Sequence, residues 1–503
     1  MMKKKYNQQC LSLFVCLWLV CILVYTLTSV FVGNDGFWHM AMGRQIAELG
    51  SVPHTAVGAW GGEKLAWVAQ EWLYQFLIYQ VFQDDMLMLC IFTMCLIAFE
   101  ILLIGILSGI HKDIFAKPWA VVVYVLFGIF AMKSFVVPRP QSFSLLFIVL
   151  FVYQLRKLIV SDTLYIRHYV FFAVLGLLWA NVHAGTAILG YLIPIGVVIC
   201  YMITDKFAVF TRYFDIQHDK SACNRVSVVA CIMAVACMCT PNGLSGFLYP
   251  VYSMGDELML SVVTEWAQPN INDVMGLCMY YVPFVAFYGW LFFSKTKMKL
   301  YDFIVISFLF VLAILHVRIV LYLLPVLVLL WIPYLSQYHQ FGLIPRIKRI
   351  YTFPISVLCV GFILCGVAAM SQDAFAAEGY GNTEFFDTVR EQAGDRMYNY
   401  YDVGSVLQYY DIPVFVDARY DPFSKKRMPD FIDTQYCDSH SAKFHEVMDK
   451  YDFTSILGLQ ETAVTLYAKN HGYEKLAEFD TGVSIETKSG GSMRQVYEFW
   501  VKK

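Results

Sequence analysis

The chain has 503 residues, of which 58% are hydrophobic and only 15% charged, and its formal net charge is −2. Soluble domains carry roughly 25% charged residues, so the composition excludes a wholly soluble protein, and the near-neutral balance excludes the basic footprint of a nucleic-acid binder. The 14 cysteines fall mostly in apolar runs, where Cys behaves as a small hydrophobe; Cys437 is the only one in the polar C-terminal stretch, so that stretch holds no internal disulfide.

The N-terminal "MMKKKYNQQCLSLFVCLWLVCILVYTLTSVFV" has an apolar part longer than a signal-peptide core and no small-residue cleavage site after it, so it reads as a retained first span with its lysines inside. A span needs about 20 mostly apolar residues. The runs that meet or approach this length are 11–32, 86–108, 118–137, 141–160, 168–182, 185–204, 226–240, 275–294, 302–316, 318–335 and 351–370, which makes about eleven. With the N-terminus inside, the outer segments before residue 372 hold only Arg44, Lys64, Lys133, Arg139 and Arg318 among the basic residues, while the other lysines and arginines before that residue crowd the cytoplasmic segments. An odd number of spans puts residues 372–503 outside. The expected organisation is a transmembrane domain over 1–371, with a first outer loop at 33–85, and an extracytoplasmic α/β domain over 372–503.

The first outer loop opens with "GNDGFWHMAMGRQI". Trp38, Met42, Ile46 and Leu49 recur at helical spacing, Asp35 and His39 continue that face, and Arg44 and Glu48 lie opposite. A second stripe, Trp72, Phe76 and Tyr79, follows Glu71, so the loop reads as two short interfacial helices. Farther on, Arg139 and Gln141 ("VPRPQSF"), Asn181 and His183 ("WANVHAG"), Glu265 ("TEWAQPN"), and His316 and Arg318 ("LHVRIV") fall at outer turns. Ionisable groups at membrane depth are costly and mark function by default. Interfacial anchoring recruits mainly Trp, Tyr, Lys and Arg, whereas this set is rich in His, Glu and Asp. A shared polar cavity at the outer face is the expectation. His39, His183, His316 and Asp35 have metal-ligand chemistry, but they lack close ligand spacing, so no metal or other cofactor is expected.

The tail mixes charge with short β-type runs at 414–419 ("VFVDAR"), 454–459 and 495–501, helical stretches at 441–451 and 461–470, and a hairpin signal, "KSGGS", at 488–492. In "DARYDPF", Asp417 and Arg419 read as a pair fixing a strand end.

Together, "DGFWHMAMGRQIAELGSVPHT", "WVAQEWL", "RPQSFS", "LWANVHAG" and "DVGSVLQYYDIPVFVDARYDPF" resemble a family of bacterial polytopic proteins built like the GT-C class of membrane glycosyltransferases, which includes protein O-mannosyltransferases and the aminoarabinose transferases of lipid A. The chain departs from the family's usual motifs at Ala184, Val403 and Ala418. The resemblance implies an inverting transfer of a sugar from a polyprenyl-phosphate-linked donor to an envelope acceptor at the outer face of the cytoplasmic membrane. It implies Asp35 as the base, with His39 and Glu71 beside it in the catalytic set. Arg139 and Arg318 would hold the lipid phosphate, and Gln141, Asn181, His183, Glu265 and His316 would line the substrate pocket. Two competing readings are a non-catalytic envelope-assembly protein on the same scaffold, and a lipid or glycan transporter, whose polar groups belong nearer the midplane.

Overall fold

The computed structural model describes residues 33–110, 124, 127–128, 137–160, 165–204, 214–216, 220–254, 267–272, 276–294, 296–337, 383–486 and 492–503. These form two compact units. The first holds the described residues between Ile91 and Ala369 except Val137–Arg139; the second holds those of Thr28–Cys90, Val137–Arg139 and Met370–Lys503.

The described residues of the first unit are mainly helical, with one short parallel strand pair, Phe214–Asp215 with Met298–Lys299. Five helices are long and apolar enough to cross a membrane: Met86–Leu107 (from Ile91 onward in this unit), Gln141–Val160, Ala184–Thr204, Ser221–Met238 and Val317–Leu335. Three shorter apolar helices, Ile166–Val182, Leu277–Phe293 and Leu300–Leu315, accompany them. These eight match eight of the spans expected from sequence; those expected at 11–32, 118–137 and 351–370 fall wholly or almost wholly outside the described residues. Without water to drive helices together in a bilayer, close packing depends on small residues. A Cβ on Gly176 would lie 2.8 Å from that of Ala236, and one on Gly190 would lie 2.3 Å from the Met233 methyl, so both neighbouring helices close onto Ser221–Met238 through glycine. Arg225 from that helix donates to the carbonyls of Leu158 and Ile159, which end the helix Gln141–Val160. The fully buried Asp302 is held by Arg156 at 2.8 Å and by the Tyr334 hydroxyl at 2.5 Å.

The second unit joins residues 33–90 to the C-terminal domain. The expected domain boundary puts residues 33–85 with the membrane helices, but they pack with the C-terminal domain. The domain's sheet has strands β1 (Met397–Asn399), β2 (Ser455–Leu459), β3 (Tyr473–Glu486) and β4 (Ser492–Lys502) in the order β1-β2-β4-β3. The β1–β2 pair is parallel and the others antiparallel. Glu486 pairs with Ser492, so β3 and β4 form the hairpin that the glycines signalled; the connecting residues 487–491 lie outside the described ones. Helices Ala442–Tyr451 and Ala463–Asn470 form where expected, the first N-capped by Ser441 and the second by a Thr462 capping box.

Residues 414–419, read as a strand, are not one. Their backbone groups are taken by other partners. The Asn399 side chain accepts from Phe415 N–H (2.7 Å) and donates to the Val416 carbonyl (2.8 Å). Val414 pairs instead with the loop, its N–H donating to Gly58 (3.0 Å) and its carbonyl accepting from Trp60 (3.1 Å). The helix Gly404–Tyr409 begins so close to this segment that a Cβ on Gly404 would meet the Val416 carbonyl oxygen at 2.4 Å, which accounts for the glycine of "DVGSV".

More contacts bind the loop to the tail. The Trp60 indole donates to the Met397 carbonyl (3.0 Å), Arg427 donates to the Trp60 carbonyl and stacks on its ring, and Arg419 donates to the Val57 carbonyl (2.8 Å). Phe37 is buried in one hydrophobic core with Phe386, Val406, Leu457 and Phe499.

Candidate functional site

In the second unit, Asp35 sits in the first turn of the helix Gly33–Leu49, where a carboxylate complements the helix dipole. Its Oδ2 lies 2.8 Å from Arg139 Nε, and both side chains are between a quarter and a third exposed. His39 stands one turn on. Its ring is buried, with Nδ1 3.3 Å from the Gln75 amide and 3.9 Å from Glu71, between the rings of Trp38 and Tyr74. Glu71, the carboxylate at 3.9 Å, is itself buried. Burial first, and then the charge of Glu71, push the Tyr74 phenol well above its ordinary value.

These positions follow from how the two loop helices cross. A Cβ on Gly43 would lie 2.1 Å from the Gln75 carbonyl oxygen, so only glycine lets the helix Trp72–Phe82 come this close. The buried residues of that second helix are Tyr74, Gln75 and Ile78, not the expected stripe of Trp72, Phe76 and Tyr79, which is half-buried. Arg44, expected on the open face, is clamped by the Tyr409 carbonyl (2.6 Å) and by Asp411 and Asp84.

The tail motif lies in the same unit. Arg419 and Asp417 are fully buried and bidentate, at 2.6 Å for Nη2–Oδ2 and 3.0 Å for Nε–Oδ1. Gln408 donates to Asp417, and the guanidinium lies over the Trp67 ring. Asp421 accepts from Val68 N–H, and burial raises its carboxyl to about 7.

The first unit holds a second polar group. His183 Nδ1 lies 2.7 Å from Ser144 Oγ and 3.1 Å from Thr186 Oγ1. Burial, and then the nearby charge of Arg318, hold its imidazole well below the usual histidine range. Arg318 rides on the short turn Val317–Ile319, anchored by Val317 N–H to Ala267 (2.9 Å) and by the Tyr280 hydroxyl to the Val317 carbonyl (2.5 Å). His316 ends the preceding helix, its N–H donating to Leu312. Asn181 donates to the carbonyls of Leu177 and Cys239, which ties two helix ends together. Gln141 is buried at the start of its helix. Glu265 lies outside the described residues.

Sequence reading missed Gln75, Tyr74, Ser144, Thr186 and Trp179. Ser144 and Thr186 each stand three residues beyond a flagged one, Gln141 and His183, the spacing at which helical neighbours meet.

No protein-family model and no curated protein matches the chain. Solved structures do. Two are of the oligosaccharyltransferase of the archaeon Archaeoglobus fulgidus, one tethered by a disulfide to an acceptor peptide containing the NVT sequon, the other, AglB, in complex with an inhibitory peptide and a dolichol-phosphate. Each aligns with 96% of this chain and 74% of its own, with a TM-score of 0.55 and 10% and 11% identity respectively. At that identity the likeness is one of fold. The chain shares the fold of these oligosaccharyltransferases, and among its described residues five helices are long and apolar enough to cross a membrane.

Proposed function

We propose that this protein transfers a sugar from a polyprenyl-phosphate-linked donor to an acceptor at the outer face of the membrane. The observation that carries the reading is the Asp35–Arg139 pair, with over a quarter of each side chain exposed, at the start of the first-loop helix in a GT-C-like fold. The pairing of the loop with the tail through Val414 supports a reading with both on one side of the membrane, and the distribution of basic residues favours the outside.

The chemistry follows from exchange of partners. A donor phosphate competes with Asp35 for the Arg139 guanidinium, which can grip it bidentately. The displaced carboxylate then accepts the proton of the acceptor hydroxyl or amide as the acceptor attacks the anomeric carbon. The bond from that carbon to the phosphate oxygen breaks, and the polyprenyl phosphate leaves with the electron pair, held by the cation. Glu71, Gln75 and His39 hold the helix carrying Asp35 in place.

The test is a transfer assay on the full chain in proteoliposomes, using the lipid-linked sugar that accumulates in cells lacking the gene. Asp35→Asn is expected to lower turnover by about 10²–10⁴-fold while donor affinity is kept or raised, because the competing carboxylate charge is gone. Arg139→Ala is expected to weaken donor binding. Unchanged lipid-linked sugars on gene deletion would sink the transfer reading and favour the non-catalytic scaffold; near-normal turnover in Asp35→Asn would remove Asp35 from the mechanism.

A further inference from the structure

A pocket opens at one end of the first unit's helices, lined by Arg156, Ile159, Tyr201, Asp215, Lys299 and Leu300. Ile159 lies in the last turn of the helix Gln141–Val160, Tyr201 in the last turn of Ala184–Thr204, and Leu300 begins Leu300–Leu315. Three apolar helices therefore end around it, at the depth where a bilayer gives way to its headgroups. The distribution of basic residues favours the cytoplasmic leaflet for this end. Val160, also on the pocket wall, and Met202 and Ile203, next to Tyr201 in the chain, are 45–62% exposed, an apolar surface suited to acyl chains. The polar wall is balanced in charge. Arg156 gives Nη2 to the buried Asp302 (2.8 Å), while its Nε is buried without a hydrogen-bond partner. Lys299 and Asp215 are register partners in the short parallel strand pair, which puts their side chains on one face. Among the described residues they make no ion pair with each other or with any other side chain. The Lys299 backbone N–H donates to the Tyr334 hydroxyl (3.0 Å), which donates to Asp302 (2.5 Å), so the strand end is tied to the buried pair. With Arg156 offset by Asp302, one cation and one anion are left side by side on the wall.

We propose that this pocket binds the headgroup of a zwitterionic phospholipid with a primary ammonium, its phosphate on Lys299 and Arg156 Nε, its ammonium on Asp215, and its acyl chains along Val160 and Met202. A headgroup with one negative and one positive charge matches the two wall charges that are left. An ammonium brings three N–H donors to the carboxylate, whereas a trimethylammonium has none to give. A headgroup that is only anionic sets Asp215 against a second negative charge. Hydrogen bonds between ionised partners are about twice as strong as neutral ones, so both ends of the headgroup contribute. The site lies wholly within the first unit and does not depend on the transfer reading.

The experiment equilibrates the delipidated full chain, in detergent micelles, with equal amounts of phosphatidylethanolamine, phosphatidylcholine and phosphatidylglycerol of the same acyl chains. Bound lipid is read by native mass spectrometry. The expectation is phosphatidylethanolamine held about tenfold over phosphatidylcholine, the scale of one hydrogen bond to a charged group. Asp215→Asn is expected to erase most of that preference, and Lys299→Gln to weaken both lipids while keeping their ratio. Both variants are expected to melt with the unaltered protein, since neither side chain loses a bond. Soluble phosphoethanolamine in excess is expected to leave the lipid bound, because it has no chains to rest on the apolar surface. Equal binding of phosphatidylethanolamine and phosphatidylcholine overturns the proposal, as does a preference for phosphatidylglycerol. A preference that survives Asp215→Asn overturns the assignment to this pocket, and displacement by phosphoethanolamine overturns the lipid as its occupant.

Discussion

The second unit contains two Asp–Arg pairs, one between near neighbours in the chain and one between distant segments, and they differ in burial and geometry. Asp417 and Arg419 are shut away from solvent and joined bidentately, with Gln408, the Val57 carbonyl and the Trp67 ring filling the remaining positions. Asp35 and Arg139 meet through one short contact and keep over a quarter of each side chain exposed. A buried pair is committed to architecture, because removing one partner strands the other charge. An exposed pair contributes about 0–1 kcal/mol and can change partners cheaply. The first belongs to the fold, and the second is available for chemistry.

Breaking the buried pair should have the largest effect. Arg419→Ala is expected to destabilise the protein by about 3–5 kcal/mol, read as lost expression or a lowered melting temperature in detergent. A loss comparable to that of a surface substitution would erase the distinction between the pairs. Next comes Gly43→Ala. Alanine gains about 1 kcal/mol of helix propensity, but its Cβ would press on the Gln75 backbone, where overpacking costs about 1–3 kcal/mol. The net expectation is a destabilised protein whose turnover also falls, since Gln75 carries His39; a more stable variant would show that the two helices can part.

A smaller effect comes from Asp421. Its folded carboxyl, raised to about 7, binds a proton that the unfolded chain gives up near pH 4. The folded state thus holds the extra proton between these values, and stability falls as pH rises through that window. Asp421→Asn should flatten the fall in a thermal-melt series from pH 4.5 to 8, and an unchanged slope would place its origin elsewhere. Smallest of all is the stability change in Asp35→Asn. Asparagine caps helices as well as aspartate does, so a shift within about 1 kcal/mol is expected beside the large loss of turnover. A large melting shift would make Asp35 structural as well.

Much of this was legible in the sequence, and the rest was not for identifiable reasons. Eight helices stand near their expected limits because apolar run length is a local signal. Asp35, Arg139, His183 and Arg318 could be flagged because charge beside an apolar run is also local. The bond between Trp60 and Val414 joins segments far apart in the chain and leaves no periodicity to read. "VFVDAR" has strand composition, yet Asn399 takes up its backbone groups, a tertiary effect that overrides propensity. The buried face of Trp72–Phe82 was misplaced because Gly43 decides which side of it is approached. The Ser144 and Thr186 hydroxyls were passed over because hydroxyls inside apolar helices look like filler until a histidine faces them.

The pairing of Gly58 and Trp60 with Val414 also sets an order in time. A ribosome adding about 5–20 residues per second makes the loop roughly 20–70 s before the tail segment that completes it. Throughout that interval Trp60 and Trp67 stand without their arginines, and the Val57 carbonyl without its donor. The newborn loop must therefore be sheltered by the insertion machinery or by lipid headgroups. A chain that stops short of Arg427 leaves it permanently unfinished, a surface that membrane quality control can recognise.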